Sequence, residues 1–247
     1  MPTKTILSVV SILCFVLSAG RPAIADNVQA TAYTWGWGCS LDSHTQQGST
    51  TATASANCVD PYGAGAESSS FALVTRDPKT ALDANITVAE LSSASNWDNT
   101  WAGATGSWNE SVLAVGGTGQ GLLWLNYEVS GPTEWGQNSA TYVCLAGLSF
   151  YSCSQSPFGA VDIIPFTFGQ PFGLAVSLDA EVVASYGSAS ATLGLGPPSY
   201  WFTDLSGNGI PGSLDLTPEP ATLLLLGTGL LALGASVART GFGGPRL

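Results

Sequence analysis

A single histidine and a small set of carboxylates are the groups through which this chain could do acid–base chemistry. His44 lies in Asp42-Ser43-His44-Thr45, which holds the residue types of a nucleophile, its base and an orienting acid. The spacing does not make a triad of them. Sequence neighbours seldom point at one another, and no Gly-x-Ser-x-Gly elbow occurs. The stretch reads as an exposed polar loop. Paired acids could drive glycoside hydrolysis. Glu110, Glu128 and Glu134 are three of sixteen acids between residues 26 and 217, however, and no spacing singles out a pair. No catalytic residue is assigned, and the chain is read as non-enzymatic. Asp204-Leu205-Ser206-Gly207-Asn208-Gly209 echoes a calcium loop but lacks its alternating acids and distal bidentate Glu. A tight turn explains its Gly and Asn more simply. With one histidine and no C-x₂₋₄-C pair, neither zinc nor any other metal or cofactor is expected.

Aromatic residues offer recognition rather than reaction. A tryptophan ring can stack on the C–H face of a sugar. Trp97, Trp101 and Trp108 stand among Asn, Asp, Gly and Ser, which makes them the candidate ligand-binding residues. Trp35 and Trp37 share a face if their segment is extended, because strand side chains alternate. The remaining rings are expected to fill a core short of Met and Ile.

The elements that would position these residues are strands. Leu123, Leu125, Tyr127 and Val129 alternate with Trp124, Asn126, Glu128 and Ser130; Phe172, Leu174, Val176 and Leu178 alternate with Ala175, Ser177 and Asp179. Period-two patterns of this kind mark half-buried strands. Residues 142–151 form a longer apolar run, and 71–75, 86–91, 111–115, 161–168, 189–195 and 200–205 are shorter candidates. Turn clusters such as Gly116-Gly117-Thr118-Gly119 and Ser130-Gly131-Pro132 punctuate them. Antiparallel strands joined by turns must each bury one face. The expected fold is therefore all-β, an antiparallel β-sandwich with a jelly-roll-like arrangement over residues 26–217.

Charge narrows the partners. Between residues 26 and 217 only Arg76 and Lys79 are basic against sixteen acids, a net charge of −14. Nucleic-acid binding needs clustered Lys and Arg, so it is excluded, and docking on anionic lipid is disfavoured. Residues 1–25 read as a signal peptide: Lys4, an apolar run over 6–19, then Ala23-Ile24-Ala25 before the cleavage point, which leaves Asp26 first in the mature chain. Four cysteines remain, Cys39, Cys58, Cys144 and Cys153. In an exported chain they suggest disulfides. Three connectivities are open, and the local pairs Cys39–Cys58 and Cys144–Cys153 are favoured.

The C-terminal residues 218–247 carry the most specific pattern. The two prolines of Pro218-Glu219-Pro220 stop any helix and keep that dipeptide extended. Residues 221–238 are uncharged and long enough to span a membrane, and Arg239 and Arg246 follow on the side the positive-inside rule would retain in the cytoplasm. This order of Pro-Glu-Pro, apolar helix and basic end resembles the PEP-CTERM domain of Gram-negative exported proteins. The resemblance implies sorting by exosortase, an integral-membrane cysteine protease, after a transient anchorage in the inner membrane by a transmembrane sorting helix. It also implies a final place at the cell surface or outside the cell. Its usual setting is exopolysaccharide and biofilm. A structural or adhesive matrix role is the expectation, with a carbohydrate-binding module as the alternative and a sandwich-fold glycoside hydrolase after that.

Overall fold

The computed structural model describes residues 27–217 except 37–38, 60–66, 78 and 137, and omits the side chains at 39–40, 67, 90, 92 and 95–99. The two alternating patterns become strands with the expected faces. Strand β6 (Gln120–Ser130) buries Leu123, Leu125, Tyr127 and Val129 and turns Asn126 and Glu128 to solvent. Strand β11 (Pro171–Leu195) buries every second residue from Leu174 to Ala184, with Asp179 and Glu181 on its other face. Each Leu or Val removed from water in this way contributes roughly 1.5–3 kcal/mol.

Three long strand runs carry the architecture. The first is β5 (Ala84–Val115), 32 residues that lie antiparallel to β11 over most of their length. The third run is interrupted: β8 (Ser139–Ala146), β7 (Thr133–Trp135) and the end of β6 pair in succession along β11. All three runs bend near their middles. In β5 the hydroxyls of Ser93 and Thr100, both buried, bond each other across the bend. In β11 the register shifts between Ser185 and Gly187, with Tyr186 held at φ 57°. In the third run Asn138 takes the same left-handed conformation, and its carbonyl accepts from the Ser185 N–H at 2.9 Å. Irregularities of this kind turn a strand sharply while leaving most of its ladder intact.

The halves on either side of the bend take different neighbours. The second half of β5 pairs with β1 (Asn27–Gly36), which pairs with β2 (Cys39–Gly48). The first half pairs with β4 (Glu67–Arg76), which pairs with β3 (Thr51–Val59). Strands β10 (Gly159–Thr167) and β12 (Ser199–Thr203) flank β6; β9 (Tyr151–Ser154) lies on β8, and β13 (Ser213–Leu216) on β5. The inner faces of the halves meet. A Cβ on Gly106 would collide with the side chains of Ile86 and Val74, and Ser70 Oγ donates to the Tyr33 carbonyl at 3.1 Å. Alanines line much of this contact: Ala30, Ala32, Ala52, Ala54, Ala72, Ala102 and Ala104 are all buried. Their small volume lets two extended faces close without large side chains between them. Asp26–Leu216 is one compact unit, and every strand pairing within it is antiparallel.

The all-β expectation holds, and several local readings change. The apolar run 142–151 is not one strand: β8 ends at Ala146, a turn follows, and β9 starts at Tyr151. Buried Asp162 organises that turn, accepting from the N–H groups of Leu148 at 2.8 Å and Ser149 at 3.1 Å and from the Ser149 hydroxyl. Cys144 and Cys153 face each other in the resulting hairpin and are joined, S–S 2.08 Å. Cys58 is disulfide-bonded as well, and the side chain of its expected partner Cys39 lies outside the described residues. Residues 42–45 belong to strand β2 rather than to a loop. The polar stretch 95–110 is the middle of β5. The Asp204 loop is a turn, its carboxylate accepting from the N–H groups of Ser206 and Asn208.

One buried ion pair stands apart from this apolar packing. Arg76 Nη2 lies 2.6 Å from Glu110 Oε1, and the second oxygen of Glu110 accepts from the Leu82 N–H at 3.0 Å. Both side chains are almost wholly sequestered. Glu110 thereby ties Arg76 of β4 and the backbone at Leu82 to β5.

Residues 1–25, read from the sequence as a signal peptide, together with Pro218, Glu219, Pro220 and the apolar segment 221–238, lie outside the described residues. No helix among the described residues is long and apolar enough to cross a membrane.

Candidate functional site

The strand registers bring one group of polar and aromatic side chains onto the outer face of β1, β5, β11 and β8. One cross-strand row runs Tyr33, Gly103, Glu181, Tyr142. The next runs Thr31, Thr105, Asp179, Cys144, and on the other side Trp35, Trp101, Val183. Neighbouring side chains on one face of a sheet stand about 5 Å apart across strands, which puts these rows within one small patch.

Glycine at 103 shapes it. A Cβ there would collide with the Tyr33 ring, so the ring occupies the space a side chain would otherwise fill. Laid over Gly103, Tyr33 spans the intervening strand and its hydroxyl donates to Glu181 Oε2 at 3.2 Å. Beside it Thr105 Oγ1 donates to Asp179 Oδ1 at 3.0 Å. Trp35 and Trp101 pack ring against ring, centroids 4.4 Å apart at 37°. Trp35 keeps 48% of its surface exposed, so the pair is open to solvent.

Electrostatics follow from partial burial. Desolvation raises the Asp179 carboxyl above its ordinary pKa, and the Thr105 hydrogen bond pulls against that shift. Glu181 is raised by desolvation first; the Tyr33 hydrogen bond opposes this and the nearby Asp179 charge adds to it. The Tyr33 hydroxyl is raised by burial and then by the two carboxylates, so it stays a donor across the accessible pH range. The patch thus combines an open aromatic pair, a fixed hydroxyl and two carboxylate acceptors. These are the groups that meet a polyhydroxylated ring: apolar faces for its C–H groups, acceptors for its hydroxyls. Asp179 and Glu181 project side by side from one strand.

Of the three tryptophans singled out in the sequence, Trp101 lies on this face. Trp108 does not. It stands opposite Val28 and Val176 and is 2% exposed, because strand alternation turns every even-numbered residue of this part of β5 inward. The Trp97 side chain lies outside the described residues. Tyr33, Asp179 and Glu181 were not singled out; the alternation Leu178-Asp179-Ala180-Glu181-Val182 does carry the signal that both acids share the face opposite three apolar residues. His44 Nε2 sits 3.0 Å from Asp42 Oδ1 on the exposed side of β2, and Ser43 between them alternates to the other face. Among the described residues no group of three or more His, Cys, Asp or Glu could hold a metal ion.

A second aromatic pair lies elsewhere. Trp124 and Trp201, on β6 and β12, stack at 5.7 Å and 11°, and Trp124 Nε1 donates to Thr203 Oγ1 at 2.9 Å.

Beyond the strands, residues 216–239 match the PEP-CTERM protein-sorting motif. No curated protein and no solved structure matches the chain.

Proposed function

We infer, from the motif that makes this chain a PEP-CTERM protein exported for exosortase processing, that its body is a non-enzymatic matrix component that holds neutral polysaccharide on the Trp35–Trp101 face. The single observation that carries this reading is the juxtaposition of an exposed tryptophan pair with the Tyr33–Glu181 and Thr105–Asp179 hydrogen bonds on one flat strand face. Adhesion needs such a surface and no more: flat rings for stacking, acceptors for hydroxyls, and no nucleophile. After membrane processing the body resides at the cell surface or in the surrounding exopolysaccharide. Its fold is read as a β-sandwich whose two layers are continuous through the bent strands, a variation on a jelly roll.

The test is a titration of the purified protein with neutral exopolysaccharide from its host, followed by tryptophan fluorescence and calorimetry. Saturable binding is expected, and Trp101→Ala should weaken it about tenfold, which corresponds to roughly 1.4 kcal/mol. Glu181→Gln should weaken it less, because a carboxamide oxygen still accepts. Binding that survives Trp101→Ala undiminished would remove this face from the reading. Turnover of the polysaccharide that is lost on one substitution would make the protein an enzyme.

A further inference from the structure

The face that carries Trp101 and Glu181 does not stop at β11. Strand β8 continues the same sheet beyond β11, and β9 continues it beyond β8. Strand alternation decides which of their side chains share the face. Glu181 stands opposite Tyr142 and Asp179 opposite Cys144, so Tyr142, Cys144 and Ala146 are outward on β8. Cys153 stands opposite Cys144 and Tyr151 opposite Ala146, which makes Tyr151 and Cys153 outward on β9. Tyr142 is 48% exposed and Tyr151 73%. Rings left so far in water add little to the stability of the core, which comes from surface removed from water.

The registers set these rings on one diagonal with the tryptophan pair. With strands about 4.8 Å apart and residues about 3.4 Å along each, the Tyr142 position lies roughly 12 Å from that of Trp101, two strands over and one row along. On the same grid Tyr151 lies roughly 14 Å beyond Tyr142 and about 25 Å from Trp101. The acceptors Glu181 and Asp179 stand between, and the residues in Tyr151's row on β8 and β11 are the small Ala146 and Ser177. A pyranose unit advances its chain by about the distance between neighbouring strands, so the diagonal matches roughly five such units.

The outer end of this track is deliberately fastened. Strand β9 has four residues and, among the described residues, pairs with β8 alone. A two-stranded pairing that short is marginal by itself. Buried Asp162 holds the turn that leads into it, through the N–H groups of Leu148 and Ser149. The Cys144–Cys153 bond then locks β9 to β8 in the row between Tyr142 and Tyr151, on the outward side.

We propose that the polysaccharide site runs on from Trp35 and Trp101 across Tyr142 to Tyr151, so that it takes an extended stretch of a neutral chain rather than one or two units, with the Cys144–Cys153 disulfide as the clasp that keeps the outermost ring in line. This rests on the reading of the Trp35–Trp101 face as a polysaccharide site.

The experiment titrates the purified protein by calorimetry with disaccharides and hexasaccharides cut by mild acid from the host's neutral exopolysaccharide. The hexasaccharide should bind at least about tenfold more tightly, because a chain held at one end keeps its other end at high local concentration. Tyr151→Ala should cancel most of that gain and leave the disaccharide unchanged. Cys144→Ser with Cys153→Ser should do the same, its unchanged disaccharide affinity showing that the rest of the face is intact. A hexasaccharide no tighter than the disaccharide overturns the proposal. So does a Tyr151→Ala chain that keeps the whole gain, or one that loses equally on both lengths. A folded disulfide-free chain that keeps the gain overturns the clasp; should that chain fail to fold, Tyr151→Ala, at an exposed position, still decides the extent of the site. If neither fragment nor the intact polysaccharide binds, or if Trp101→Ala leaves both fragments bound as before, the underlying reading of the face fails instead, a result seen without any change in β9.

Discussion

At the scale of single residues, the outer face is governed by two carboxyls that burial pushes the same way. Asp179 and Glu181 are raised from ordinary values of 3.8 and 4.5. A raised acid binds its proton more tightly folded than unfolded, so its contribution to stability is fully present below the unfolded pKa and is lost as pH rises through the folded one. Stability should therefore fall with pH across the interval just above the normal carboxylate range. Both groups are partly exposed, which keeps the effect modest. Glu181→Gln and Asp179→Asn remove it: each variant should gain on the original protein as pH rises from about 4 to about 7, with the curves converging at the acid end. Urea denaturation at a series of pH values measures this, and a variant that loses ground as pH rises contradicts the assignment. The sequence shows part of this face. The i, i+2 spacing of the two acids within an apolar alternation is visible, but that Tyr33 reaches Glu181 depends on Gly103, more than sixty residues away in sequence, lying between them. Nothing in the neighbourhood of either residue signals that register.

At the scale of elements, the exposed edge of the β3–β4 pair is protected by β2. Gln46 Oε1 accepts from both the N–H of Thr53 at 2.7 Å and its hydroxyl at 3.0 Å, and Asp42 Oδ2 accepts from the Asn57 N–H at 3.1 Å. Side chains thus occupy donors through which an edge strand could recruit a second chain. Replacing both, Gln46→Ala with Asp42→Ala, should leave the fold intact and produce concentration-dependent association in light scattering, while the original stays monodisperse. A double variant as monodisperse as the original would mean that these contacts do not guard the edge. Strand β3 itself was hard to read, since Ala52, Ala54 and Ala56 make its buried face and alanine carries little apolar signal. The same weakness hid the middle of β5, where Ala102, Ala104 and Gly106 supply the inner face of a strand that looks polar in sequence. Where larger residues alternate, in β6 and the first half of β11, the strands were legible. Their continuity through a bend was not, because Ser93, Thr100, Tyr186 and Asn138 resemble loop residues and act instead as the corners of long strands.

At the scale of the whole molecule, charge decides which polysaccharide can approach. Sixteen acids face two bases between residues 26 and 217, and Arg76 is spent on buried Glu110, so the described surface offers little cationic charge beyond Lys79. A polyanionic glycan meets repulsion over the entire body; a neutral one meets none. The recognition proposed for the Trp35–Trp101 face should then be insensitive to salt. Between about 0.01 M and 1 M ionic strength the screening length falls from roughly 30 Å to 3 Å, and the affinity for neutral polysaccharide should change by no more than about twofold, since stacking and hydrogen bonds to an uncharged ligand release no counterions. An acidic polysaccharide should fail to bind at the low-salt end, where repulsion is unscreened. If instead the acidic polymer binds, and does so only with added divalent cation, the carboxylates of the body act by bridging through metal. The aromatic face would then be secondary, and the matrix proposed for this protein would be an acidic one.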